Sequence, residues 1–256
     1  MLDIQLLPAL TDNYIHLLHD AVSGETAVVD PAEAQPVLDA LKQRGWSLNY
    51  VFNTHHHGDH VGANLELKRH TGCLVIGAAR DKARLPGLDV GVEEGDTVYV
   101  GNQGLQVLDT PGHTLGHIVY YCPSSQALFC GDTLFSLGCG RLFEGSAAQL
   151  WQSLQRLKAL PADTRVYCAH EYTAANGRFA SSVEADNLAL QHRLAEVSRL
   201  RQANRPTLPS TLAQELATNP FLRENSPQIR AHLGVSSETD AAEVFARLRA
   251  LKDRFV

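Results

Sequence analysis

Between Thr54 and His60 the chain reads THHHGDH, directly after the strand-like run NYVFN. In an extended chain, residues i and i+2 project to the same side, so His55 and His57 can grip one ion while His56 points elsewhere. Asp59 and His60, beyond the bend at Gly58, can reach a second ion. A structural zinc is closed by four ligands, whereas a catalytic site keeps a position open for water, and paired metals about 3.5–4 Å apart clamp two reacting oxygens. The remaining ligands must come from distant sequence. Thr110-Pro111-Gly112-His113 follows the run LQVLD, Cys130-Gly131-Asp132 follows ALF, and Cys168-Ala169-His170 follows RVY. Each presents a ligand just past a strand end, where strand termini along one sheet edge can converge on a single point and rigid elements fix the geometry. Of the 12 His, six lie in these motifs and a seventh, His117, follows four residues after His113; His56 and His117 are read as supporting residues rather than ligands.

The rest of the chain is organised to match. Over the first 170 residues, short apolar or β-branched runs alternate with turn signals, and helical stretches are expected at 34–44, around 63–70 and at 147–160. From about residue 172 the texture becomes helical, with helices expected at 183–201, 210–218, 227–233 and 239–254. Pro206, Pro209, Pro220 and Pro227 mark their limits. A boundary is placed there, giving a body at 1–171 and a helical domain at 172–256. The body holds 11 Lys/Arg against 19 Asp/Glu and the tail 11 against 9, for a net charge of −6. That balance argues against nucleic-acid binding, which needs clustered cations. The N-terminus lacks the basic-then-apolar pattern of a leader, and no apolar run approaches the length of a membrane span, so a cytoplasmic protein is expected. Cys73, Cys122, Cys130, Cys139 and Cys168 are odd in number and contain no C-x-x-C, which fits reduced core thiols rather than a disulfide framework.

These residues resemble the metallo-β-lactamase superfamily, whose H-x-H-x-D-H signature stands here as His55, His57, Asp59 and His60. Within it the chain is similar to the glyoxalase II family over essentially its whole length. The similarity includes TDNY at 11–14, VDP at 29–31, TPGHTLGH at 110–117, GDTLF at 131–135, GCGRLFEG at 138–145, HEYT at 170–173, NPFLR at 219–223 and the C-terminal RALKDRF. The resemblance implies an αββα sandwich with a helical C-terminal domain. It also implies two divalent metal ions, with His55, His57 and His113 on one, Asp59, His60 and His170 on the other, and Asp132 between them. Zinc is the default for such N/O ligands, and iron or manganese also suits them. The substrate implied is S-D-lactoylglutathione, cleaved to glutathione and D-lactate in methylglyoxal detoxification. The nucleophile implied is a hydroxide bridging the metals, with Asp59 and Asp132 also able to accept its hydrogen bond. The implied glutathione contacts are Arg141, Phe143, Tyr172, Arg249 and Lys252. Phe143 departs from the family, where a Tyr often stands, and Arg141 occupies a position where Lys is also common. A monomer acting without nucleic acid or membrane is expected. A lactonase, a β-lactamase, a nuclease and a mononuclear-iron sulfur dioxygenase share the signature. The charge disfavours the nuclease, RALKDRF is superfluous for the first two, and metal stoichiometry separates the dioxygenase.

Overall fold

The computed structural model describes residues 1–255 and divides the chain into two compact units, one of 1–109 with 116–131 and the other of 110–115 with 132–255. The first contains β1 (Asp3–Ala9), β2 (Asn13–His19), β3 (Thr26–Val29), α1 (Ala34–Arg44), β4 (Tyr50–Phe52), α2 (Gly58–Val61), α3 (Asn64–Thr71) and β5 (Leu74–Ala78). Then come β6 (Leu88–Val92), β7 (Thr97–Val100), β8 (Gln103–Asp109), β9 (Ile118–Cys122) and β10 (Ala127–Gly131). Strands β1 to β6 form one sheet in sequence order, antiparallel from β1 to β3 and parallel from β3 to β6. Strands β10, β9, β8 and β7 pair antiparallel in that order.

Both faces of the first sheet are covered, which is why every residue of β2 and β3 is buried rather than alternating in and out. Ile15, Leu17, Val28, Val51 and Val75 point at α1 and α3, meeting Val37, Leu41 and Leu67. The opposite face looks at the second set of strands, where Phe52 stacks on Tyr120 at 5.3 Å and His16 lies against Phe129 at 5.7 Å. The Tyr120 hydroxyl donates to the Asn53 carbonyl at 3.0 Å, tying the end of β4 to β9. Parallel strands β3 and β4 thus end side by side, leaving Asp30 and Asn53 at adjacent termini.

The second unit contains the small hairpin β11 (Leu134–Phe135) and β12 (Gly138–Cys139), α4 (Ala147–Lys158), β13 (Arg165–Cys168), α5 (Thr173–Val183), α6 (Leu188–Gln202), β14 (Ser210–Thr211), α7 (Leu212–Thr218), α8 (Pro227–His232) and α9 (Ala241–Asp253). A capping box at Ser146 and Gln149 starts α4. The helix expected over 183–201 begins later, at Leu188, and a separate helix, α5, precedes it. Val183 closes α5, and Asn187 accepts from the Leu190 amide at 3.1 Å to start α6. An Asn at the head of a helical run is an N-cap, and here it outweighs the continuous apolar spacing.

Candidate metal centre

In the first unit, β4 delivers the histidine motif. Its exit is fixed by Asp30, whose carboxylate accepts from the Thr54 amide at 2.8 Å and the Thr54 hydroxyl at 2.6 Å. His55 and His57 come together, Nε2 to Nδ1 at 3.0 Å, and the His55 ring lies 4.1 Å from that of His60. His117 stacks on His55 at 4.7 Å. His56 turns away to Asp81 at 3.2 Å, with Arg84 bonding both partners. Asp59 sits on α2, where the Asn13 side-chain amide donates to its carboxylate at 3.1 Å. The neighbouring His60 holds the Asp59 carboxyl well below the usual carboxylate range against the opposing effect of burial.

In the second unit, Gly112 carries the chain to His113 with φ of 152° and with Leu150 packed where a Cβ would stand, 2.5 Å away. Position 112 therefore accepts only glycine. Asp132 lies between two imidazoles, one carboxylate oxygen 3.4 Å from His113 Nε2 and the other 3.4 Å from His170 Nε2. His170 stacks face to face on Tyr172 at 4.7 Å and 3°. His113 Nδ1 donates to the Arg141 carbonyl at 2.8 Å. Gly140 leaves room here, since a Cβ there would stand 2.0 Å from the Asp132 carbonyl and 3.1 Å from His113 Nδ1.

The donor set fits divalent cations. His60 Nδ1 is engaged by Asp30 at 3.0 Å, which leaves Nε2, 3.5 Å from the Asp59 carboxylate, as the ring atom that faces a cation. With Nδ1–H engaged by Arg141, His113 likewise turns Nε2 toward Asp132. Buried electron-pair donors aimed at one another, each His oriented through its other nitrogen by an oxygen acceptor, are the arrangement that metal ligands adopt. Within the first unit Asp30, His55 and His60 also lie close enough for their ligand atoms to share an ion. Asp30 and Asn13, which orient His60 and Asp59, were not among the expected site residues. Their signal in sequence is VDP and TDNY, each placed at a strand end or turn.

A pocket of about 450 Å³ in the second unit opens beside His113 and Asp132 and is walled by Arg141, Phe143, Tyr172 and Lys252. Phe143 is 64% exposed and meets the His113 ring edge-on at 5.2 Å. Lys252 lies over the rings of Phe179 and Phe255 at 5.6 Å each. Its ammonium is pushed below its ordinary pKa by burial and by the nearby guanidinium groups of Arg249, Arg141 and Arg178. Arg249 also lines the pocket but is engaged by the protein. Its guanidinium donates to the Cys139 carbonyl and to Asp253, each at 2.9 Å, and lies 5.0 Å from the Phe221 ring centre. So many cations around one cavity create a potential suited to carboxylates.

Residues 17–170 match the metallo-β-lactamase superfamily, and 171–255 match the C-terminal region of hydroxyacylglutathione hydrolase. Among solved structures, ETHE1 from Myxococcus xanthus superposes with a TM-score of 0.68 at 26% identity, covering 98% of each chain. The fold and its histidine–aspartate donors are those of a metallo-β-lactamase-superfamily protein, with mixed α/β sheets and a helical C-terminal region. A hydroxyacylglutathione hydrolase of Methylococcus capsulatus is 58% identical over 255 residues, covering 100% of this chain and 99% of the relative. One of Rhodospirillum rubrum is 52% identical over 254 residues, covering 99% of each. The chain belongs to the hydroxyacylglutathione hydrolase family and is a hydrolase. Divalent metal binding comes with the superfamily and agrees with the clustered donors. No helix among the described residues is long and apolar enough to cross a membrane.

Proposed function

We propose that the protein hydrolyses S-(2-hydroxyacyl)glutathione, with S-D-lactoylglutathione as the reference substrate, to glutathione and D-lactate in methylglyoxal detoxification. The observation that carries this reading is the cation-rich pocket beside His113 and Asp132. Arg141 and Lys252 receive the glutathione carboxylates, Tyr172 and Phe143 line the body of the ligand, and Arg249 adds positive charge from behind. His55, His57 and His113 hold one divalent ion and Asp59, His60 and His170 the other, with Asp132 shared. Zinc suits these donors best, and iron or manganese is also compatible. Two divalent ions held by these residues would, when bound, activate water at neutral pH and polarise a thioester carbonyl. Asp59 and Asp132 accept the hydrogen bond that orients the attacking oxygen, and His170 is kept in place by its Tyr172 stack. The C–S bond breaks and the sulfur leaves as a thiolate, which needs no general acid because a free thiol has a pKa of only about 8.5. A cytoplasmic monomer completes the reading.

The test is loss of thioester absorbance from S-D-lactoylglutathione with metal-quantified protein, compared with S-lactoyl-N-acetylcysteamine, which lacks the glutathione carboxylates. Fast cleavage of the first and poor cleavage of the second is the expected result. Equal, slow cleavage of both would overturn the glutathione assignment.

A further inference from the structure

Strands β11 and β12 are two residues each, too short to hold a hairpin by their own pairing. The hairpin nevertheless joins Asp132 to Arg141, and both ends act on one imidazole. Asp132 faces His113 Nε2, and the Arg141 carbonyl accepts from His113 Nδ1. What fixes the hairpin is a set of buried side chains from outside it. The Leu137 amide donates to Glu215 Oε2 at 2.8 Å. Asn219 Nδ2 donates to the Phe135 carbonyl at 3.1 Å and the Gly138 carbonyl at 3.0 Å, with Glu215 Oε2 also 3.1 Å away. Asn176 donates to the Ser136 carbonyl at 3.2 Å, and Arg249 to that of Cys139 at 2.9 Å. Every residue from 135 to 139 thus has a main-chain group held by a buried side chain. Glu215 and Asn219, one turn apart on α7 and its C-cap, are wholly buried. Leu137 is itself buried with φ of +60°, a left-handed conformation that a leucine keeps only when its surroundings impose it.

We propose that Glu215 and Asn219 are positioning residues for thioester hydrolysis. By locking the β11–β12 hairpin they set the spacing between Asp132, at the reacting end of the pocket, and Arg141, at its carboxylate-binding end. The substrate in this inference rests on the function proposed above, whereas the locking does not. A substrate without carboxylates uses Asp132 but not Arg141, so releasing the hairpin harms the glutathione thioester more. A merely structural role would lower both rates alike.

The experiment compares wild type, Asn219→Ala, Glu215→Ala and Glu215→Gln. It reads the ratio of kcat/KM for S-D-lactoylglutathione to that for S-lactoyl-N-acetylcysteamine, together with hydrogen exchange of a peptide covering residues 133–141. In the two alanine variants the ratio should fall by about tenfold, the lower range for loss of a group that orients a site residue, and the peptide should exchange faster. Glu215→Gln keeps the acceptor for Leu137 and should match wild type in both. An unchanged ratio in folded Asn219→Ala, unchanged exchange, or a Glu215→Gln variant as impaired as Glu215→Ala would overturn the proposal. Should Asn219→Ala not fold, Asn176→Ala removes one hairpin bond and carries the same readouts. Wild type that cleaves neither thioester would sink the substrate reading, while the exchange comparison would still decide the locking.

Discussion

A hydroxyl added at position 143 would meet an exposed ring that already lies beside His113 on the pocket wall. Phe143→Tyr is expected to lower KM for the glutathione thioester by about threefold, the value of one ordinary hydrogen bond, with kcat little changed. Unchanged KM would show that the hydroxyl finds no partner. Arg249 and Lys252 occupy the same helix face yet call for opposite outcomes. Removing Lys252 costs substrate affinity and leaves the melting temperature near that of wild type. Removing Arg249 strands the buried Cys139 carbonyl, so Arg249→Ala should lose about 1–3 kcal/mol of stability as well as affinity, measurable by urea unfolding. The pair looks like a simple charged stripe in RALKDRF. The arginine's burial depends on a carbonyl 110 positions away and on Phe221, which no local pattern discloses.

At the scale of elements, the adjacent ends of β3 and β4 place Asp30 against His60 through two parallel strands in register. Asp30→Ala should weaken metal retention by about 10–100-fold in a competitive chelator titration, because His60 loses the acceptor that orients it. Retention equal to wild type would remove Asp30 from the site. On α7, burial raises the pKa of Glu215 above the ordinary value of about 4.3 for glutamate. A group raised on folding contributes stability that is full below its unfolded pKa and is lost as pH climbs through its folded pKa. Wild type should therefore lose stability relative to Glu215→Gln as pH rises above that point. A difference that stays constant with pH would show that Glu215 does not titrate in this way. The strands carrying ligands were legible because few residue types bind metal and each motif closes an apolar run. Strand β6, helix α5 and the β11–β12 hairpin were not. LDVGV and TAANGRFASSV carry glycines that blur the period, and the hairpin owes its shape to side chains from α5, α7 and α9 rather than to its own sequence.

For the whole molecule, a charge of −6 coexists with a cation-walled cavity. Raising ionic strength should lower kcat/KM for the anionic glutathione thioester far more than for the uncharged N-acetylcysteamine one, since salt screens the local attraction. Equal salt dependence would argue against electrostatic capture. Stripping metal with a strong chelator should lower the melting temperature, and adding it back should restore it, because ligands that bind only the folded chain stabilise it by mass action. The two-part plan read from the sequence followed from a change in texture near residue 172. The compact units follow spatial proximity, so residues 110–115 and 132–171 fall with the later part of the chain. Sequence order cannot reveal this, because His113 and Arg141 meet only through folding.

All five cysteines are buried thiols outside any disulfide. Burial pushes the Cys139 thiol up to about 11 and that of Cys168 to about 12. The reaction proposed above would release a thiol at every turnover, into a medium where disulfide exchange is a constant hazard, and exchange requires a thiolate within reach. Cys139 and Cys168 offer little of it. Prolonged exposure to oxidised glutathione should leave the intact mass without an adduct, so the catalyst is insulated from the redox state of its own product.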